Sequence, residues 1–278
     1  MKAGAYTDGA SARVPAQGDA GRAPRPLLSA RELTLTWDGV HGCRDVGFDL
    51  YPGEVLCVVG ESGSGKSTLL QALSWQARPQ SGRILYDMRG RGPVDLADLD
   101  DAQRRLLART DWGYVHQHAR DGLRMQVSAG ANIAERLMAL GGRHYGQLRG
   151  AATHWLQRME IDPIRLDDAP RSFSGGMQQR LQIARNLVTA PRLVFMDEPT
   201  ASLDVSVQAR LLDLLRGLVA DLGLAAVVVT HDLAVARLQA HRTLVMRGGR
   251  VVESGLTDQI LDDPQHAYTQ LLVSSILR

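Results

Sequence analysis

Cysteine is nearly absent from this chain of 278 residues: Cys43 and Cys57 are the only two, and they form no CxxC pair. A disulfide framework and a thiolate metal centre are not expected, and Cys57, set in the apolar run VLCVVG, reads as a buried reduced thiol. An excess of charge is missing too. Lys and Arg number 32 against 30 Asp and Glu, a formal net charge of +2, which gives no electrostatic reason to expect a nucleic-acid partner. Long apolar runs are also lacking. The longest candidate, LAAVVV at 224–229, has the length of a strand, far short of the roughly 18–20 residues that a membrane-spanning helix requires. No internal repeat occurs, so a single cassette is expected rather than an array. The stretch 1–26 is rich in Ala and Gly and is broken by Asp8, Asp19 and three prolines. It lacks the apolar core of a secretory signal and reads as a disordered tail on a cytoplasmic protein.

What remains is an ordinary globular composition, 44% hydrophobic and 22% charged, in a length suited to one large domain over 27–278. LLSARELTLTW and VGFDL alternate apolar and polar residues as half-buried strands do, and EVLCVVG is continuous enough to be a buried strand. A Gly-rich turn and a helix opening KSTLLQALSWQ follow, and SGRILYD returns as a strand. From about 90 to 172 apolar residues recur at three- and four-residue spacing, which predicts an inserted helical lobe. Beyond it strands and helices alternate again, the rhythm of an α/β sheet.

Three motifs carry chemistry. GESGSGKST at 60–68 fits GxxxxGK[ST], directly after a strand and before a helix, as a P-loop requires. Glycines 60, 63 and 65 let the backbone approach phosphate oxygens, Lys66 reaches the β and γ phosphates, and the Ser67 hydroxyl suits Mg²⁺. LVFMDEP at 193–199 puts Asp197 at the C-terminal end of a strand, where it can hold Mg²⁺, with Glu198 beside it to orient or deprotonate a water. An acidic strand end alone is usually just solvated; the P-loop upstream favours the functional reading. In FSGGMQQR at 173–180, Ser174, Gly175 and Gly176 open an amphipathic helix, so the serine caps it and the free amides form a second anion site.

The P-loop, Gln117, this third motif, the acidic strand, ASLD at 201–204 and THD at 230–232 stand in one order. In that order residues 31–278 resemble the ATP-binding cassette (ABC) ATPases. The resemblance implies an α/β P-loop NTPase with a RecA-like core, an N-terminal antiparallel β-subdomain and an inserted α-helical subdomain. It implies ATP and Mg²⁺ as ligands, ATP hydrolysis, and a homodimer closed head to tail around two ATP molecules. Trp37 would stack on adenine, with Tyr51 as the alternative aromatic. Gly60, Ser62, Gly63, Ser64, Gly65, Lys66, Ser67 and Thr68 would cradle the phosphates, and Ser67, Asp197 and Gln117 would hold Mg²⁺. Glu198, His231, Gln117 and Lys66 would act in hydrolysis, while Ser174, Gly175, Gly176 and Asp204 would meet the nucleotide across the dimer. The signature departs from the commonest pattern at Phe173 and Met177, where Leu and Gln are usual.

After Gln117 the chain continues HARDGLRMQVSAGANIAERLM, in place of the Pro-, Ser- and Asn-containing loop usual in oligopeptide and nickel importers. With PQHAYTQLLVSSI at 264–276 and VSVQARLLDLLRGLV, it resembles the ATP-binding subunits of bacterial phosphonate carbon–phosphorus lyase systems. That implies a cytosolic lyase core as partner, with the permease of a phosphonate, oligopeptide or nickel importer as the alternative. Arg120, Arg124 and Arg136 near Leu123, Met125 and Val127 form a mixed patch suited to a protein interface. His116 and His118, if the strand before them continues, point away from the face that carries Gln117.

Overall fold

The structure, a computed structural model, describes residues 25–201 and 203–275. The expected tail at 1–26 therefore lies outside the described residues, apart from Arg25 and Pro26. In chain order the elements are β1 (Leu28–Thr36), β2 (Gly42–Leu50), β3 (Val55–Val59), α1 (Lys66–Leu73), β4 (Ser81–Met88), β5 (Gly92–Asp95), α2 (Asp101–Thr110) and β6 (Trp112–Val115). The helices α3 (Ala119–Gly122), α4 (Ala129–Ala139), α5 (Tyr145–Arg158) and α6 (Gly175–Leu187) come next. The chain then runs through β7 (Leu193–Asp197), α7 (Val205–Leu222), β8 (Ala225–Thr230), α8 (Leu233–Gln239), β9 (Arg242–Arg247), β10 (Arg250–Leu256), α9 (Thr257–Asp262) and α10 (Ala267–Ser274).

Two sheets result. One is antiparallel in the order β2-β1-β4-β5; the other has the order β10-β9-β3-β8-β7-β6, with its last five strands parallel and β10 antiparallel to β9. All five residues of β3 are buried, which explains its unbroken apolar sequence. Because side chains alternate along a strand, Val55, Cys57 and Val59 enter the core on one face with Leu181, Leu211 and Leu233. Leu56 and Val58 enter the core on the other face, with Leu69, Leu70 and Leu73 of α1 and residues of the antiparallel sheet.

Cys43 and Cys57 are both free and buried, and burial pushes both thiols up from their ordinary pKa, Cys57 furthest. The thiolate is the reactive form. Neither cysteine should react with a disulfide reagent in the native protein, and both should react after unfolding in guanidinium; thiol titration checks this.

The span 90–172 is not wholly helical. β5 pairs with β4, and β6 pairs in parallel with β7 from Trp112↔Leu193 to Val115↔Met196. Trp112 stands edge-on to both Tyr86 and Phe195, at 5.3 and 5.7 Å between ring centroids. Each of these strands has four residues, too few for period-two alternation to stand out. Past β6 the chain is helical. The fully buried Asn132 of α4 donates to the carbonyls of Arg124, Val127 and Ser128 at 3.1, 2.9 and 3.0 Å and accepts the Arg124 N–H at 2.8 Å. The loop after α3 is thus fixed by one side chain.

The mixed patch expected on that loop is smaller than its sequence implies. Arg136 donates to the Trp112 carbonyl at 2.7 Å, and burial pulls its guanidinium down to about 10. Leu123 is buried, and Arg124 is ion-paired to Glu135 at 2.7 Å. Arg120 and Val127 stay exposed. Its bond to the start of β6 leaves Arg136 half-buried, outside any exposed patch.

Candidate nucleotide site

Four parallel strands end at one edge of the six-stranded sheet. β3 runs into Gly60, β7 ends at Asp197, β8 runs into His231, and β6 leads to Gln117. Ligands of open α/β sheets bind at this carboxyl edge. A cleft of about 640 Å³ opens there, lined by Gly60, Ser62, Gly63, Gly65, Lys66, Ser67, Thr68, Gln117, Glu198 and His231, with His41, Gly42, Glu61 and Leu272.

The loop between β3 and α1 depends on two glycines. Gly60 has φ 153°, and a Cβ there would lie 2.2 Å from the Met246 carbonyl oxygen; Gly65 has φ 100°, and its Cβ would lie 2.1 Å from that of Gly42. No other residue type fits either place without moving backbone. Gly65 is also the N-cap of α1 and has no capping side chain, so the first amides of α1 remain free to receive an anion. Lys66 is 6% exposed, and its Nζ donates to the carbonyls of Gly60 and Glu61 at 2.8 and 2.9 Å. Burial lowers its pKa, against the raising influence of Glu198 and Asp197.

The acidic pair lies opposite. The Ser67 hydroxyl donates to Asp197 Oδ1 at 3.0 Å. Burial pushes the Asp197 carboxyl up; the Ser67 bond opposes this and the Glu198 charge adds to it. Glu198 has φ 44°, a left-handed conformation costing about 1–3 kcal/mol in a residue with a side chain. Its N–H donates to the Val229 carbonyl at 2.9 Å, and its Oε2 receives His231 Nδ1 at 2.8 Å and the Thr230 hydroxyl at 3.4 Å. The carboxylate is the acceptor, so Nδ1 carries the proton and the other imidazole nitrogen is left free.

Gln117 reaches the cleft because α6 holds the backbone before it. Gln182 Oε1 accepts the His116 N–H at 2.6 Å, while the amides of Gln179 and Gln182 donate to the His116 carbonyl at 3.3 and 3.1 Å. β6 stops at Val115, so the strand does not continue through the two histidines. His116 instead lies 4.6 Å from the Tyr114 ring, and His118 precedes α3.

Other residues named from sequence lie apart from this cleft or at its rim. Ser64 turns its hydroxyl inward, where it is buried without a partner. Trp37, 62% exposed, donates from Nε1 to the Thr68 hydroxyl at 3.3 Å. Ser174 caps α6 through the Met177 N–H at 3.3 Å, and Gly176 packs against Val207 of α7, where a Cβ would meet Val207 Cγ1 at 2.6 Å. Asp204, at the N-terminus of α7, makes no capping bond. None of Ser174, Gly175, Gly176 and Asp204 lines the cleft of their own chain. Sequence reasoning missed His41, bound to Asp38 at 2.5 Å, and Leu272, both brought in by distant loops or helices; the nearness of His41 to Trp37 was the one available signal.

A family model for the ABC transporter matches residues 43–201, more than half of the chain. The chain belongs to the ABC transporter family of ATP-binding proteins. It is an ABC ATPase of the P-loop class, with an antiparallel sheet and a helical subdomain on its α/β core. It is 64% identical over 254 residues to the phosphonates utilization ATP-binding protein PhnK of Escherichia coli K12, covering 91% of this chain and 99% of that one. A peptide ABC transporter ATP-binding protein of Sinorhizobium fredii is 38% identical over 85% of this chain and 65% of its own. The dipeptide transport protein DppF of Escherichia coli is also 38% identical, over 91% and 72%. Among solved structures, the ATP-binding cassette MJ0796, dimeric and bound to ADP and Pi, superposes with a TM-score of 0.74 at 28% identity, covering 83% of this chain and 98% of that one.

Proposed function

We propose that this ABC ATPase binds MgATP in the cleft at the carboxyl edge of its sheet and hydrolyses it as a head-to-tail homodimer. In that role it serves phosphonate breakdown beside a cytosolic carbon–phosphorus lyase core. The observation that carries the choice of system is the 64% identity, over nearly the whole of both chains, to a protein named for phosphonate utilization. Among the described residues no helix is long and apolar enough to cross a membrane, which agrees with a cytoplasmic working place.

The phosphates would meet the free amides of α1 and the Lys66 ammonium, with adenine against Trp37. The donors at Ser67, Asp197 and Gln117 are all oxygens, a hard set of the kind Mg²⁺ takes. Burial penalises the charge on Asp197, and a divalent cation relieves that penalty, so these residues fit the metal. When bound, Mg²⁺ supplies neutralisation of phosphate charge. Glu198 then accepts the proton of the attacking water while His231, tied to it through Nδ1, keeps the carboxylate oriented. The α6 N-terminus offers anion-binding amides but lies outside the cleft of its own chain, which favours a partner subunit placing Ser174–Gly176 over the nucleotide.

The peptide-import relatives keep a permease motor as the competing reading. Affinity purification of the tagged chain from cells grown on a phosphonate should recover carbon–phosphorus lyase subunits in stoichiometric amount. Arg120→Glu, at an exposed position of the short helix α3 after Gln117, should weaken that recovery and leave ATP binding unchanged. Recovery of a pair of permeases without lyase subunits would overturn the assignment.

A further inference from the structure

We propose that the C-terminal helix α10 fastens the P-loop, with Tyr268 as a positioning residue for nucleotide binding; this rests on reading the β3–α1 loop as the ATP site. Tyr268 is 3% exposed, and its hydroxyl accepts the Glu61 N–H at 3.2 Å. Glu61 belongs to the P-loop, and its carbonyl receives the Lys66 ammonium at 2.9 Å. One loop residue is thus held by α10 through its N–H and by the lysine through its carbonyl. Leu272, on the same helix face four residues along, lines the cleft itself.

The segment before α10 is built to hold that hydroxyl in place. Glu253 of β10 accepts the N–H groups of Gln265 and His266 at 2.8 and 3.1 Å. His266 caps the helix, its Nδ1 accepting the Tyr268 N–H at 3.1 Å. The Arg247 guanidinium lies over the Tyr268 ring, 4.8 Å from its centroid. An eight-residue helix does not hold its shape alone, so these bonds supply the rigidity that the tether needs.

A P-loop recognises phosphate by the directions of its amides, and those directions depend on loop conformation. Gly60, next to Glu61, has no side chain to restrict it. With the Glu61 N–H released, the loop start samples more conformations, and the nucleotide has to order it on binding. Glu198 and His231 follow other strands, β7 and β8, and are untouched. Loss of the tether therefore falls on binding rather than on the chemical step.

Tyr268→Phe removes the hydroxyl and keeps the ring and its contact with Arg247. The expected result, with ATP as the probe, is a Kd and KM about three- to tenfold higher, the range of one neutral hydrogen bond, with kcat nearly unchanged. Hydrogen exchange of the amides at 60–65 should quicken in the same variant. Leu271→Ala, on the exposed side of the helix, should leave both readouts at the parent values. A parent-like Kd and exchange rate in Tyr268→Phe, or a fall in kcat at constant KM, overturns the tether. A parent protein that binds no ATP overturns the nucleotide reading, and the tether with it.

Discussion

Glu198→Gln should lower ATP turnover by about 10²- to 10⁴-fold, the usual contribution of a positioned general base, while ATP binding persists. The amide keeps the size of the carboxylate and an oxygen that can still accept from His231 Nδ1, so the 2.8 Å contact in the parent has a replacement. What disappears is the basic oxygen and one negative charge beside Asp197. Loss of that charge removes repulsion from the bound polyphosphate, so the variant should hold ATP at least as tightly as its parent. In the proposed head-to-tail homodimer the bound ATP holds the pair closed, so a variant that keeps ATP unhydrolysed should accumulate as an ATP-bound pair. Phosphate release measures the first effect, and light scattering on a sizing column with MgATP measures the second. A parent-like rate in Glu198→Gln would assign the base elsewhere, and His231 would be the first residue to examine.

The strain at Glu198 bears on the same result. A φ of 44° is sustained because the N–H is used by the Val229 carbonyl and the side chain by His231 and Thr230. Those bonds aim the carboxylate into the cleft rather than along the strand. Three hydrogen bonds of ordinary strength, about 1 kcal/mol each, suffice to offset a backbone cost of that size.

The P-loop was legible because its chemistry demands particular residue types at adjacent positions, and β3, buried on both faces, announces itself as a continuous apolar run. Asp197 was legible for a similar reason, as the first acidic residue after four apolar ones. Period and residue type are local quantities. They do not say which distant element will land on a residue, and the misreadings share that cause. Gln179 and Gln182 looked like any glutamines on an amphipathic helix, yet they hold the His116 peptide and so set the position of Gln117. Arg136 looked like surface charge, yet it bonds the start of β6. Ser64, between two residues that line the cleft, turns its hydroxyl away because the left-handed glycines around it reverse the loop's direction. Tyr268 is far from the P-loop in sequence and meets it only because the chain after β10 folds back along the sheet, held at Gln265 and His266 by Glu253, and brings α10 to Glu61.

Lys66→Ala should abolish tight ATP binding with little effect on folding. A charge-assisted bond to phosphate contributes about 1.5–3 kcal/mol, so its loss weakens binding by about 10- to 100-fold. In the free protein the substitution acts in two opposite directions. Burial depresses the Lys66 pKa in the folded state, so the folded chain holds that proton less firmly than the unfolded one. Its charge therefore opposes folding at every pH below the depressed value, and that opposition fades as pH rises through the value toward the ordinary lysine range. Removing the ammonium relieves this cost, while truncating a side chain only 6% exposed forfeits the packing of its stem. The two changes oppose each other. The thermal midpoint of the nucleotide-free variant should thus stay close to that of the parent, whereas the rise in midpoint that a fixed excess of MgATP gives the parent should shrink, by the equivalent of about 1.4–2.7 kcal/mol, since ligand stabilisation follows affinity. A parent-like midpoint shift with ATP in Lys66→Ala would mean that the lysine does not reach the phosphates and that the α1 amides alone hold them.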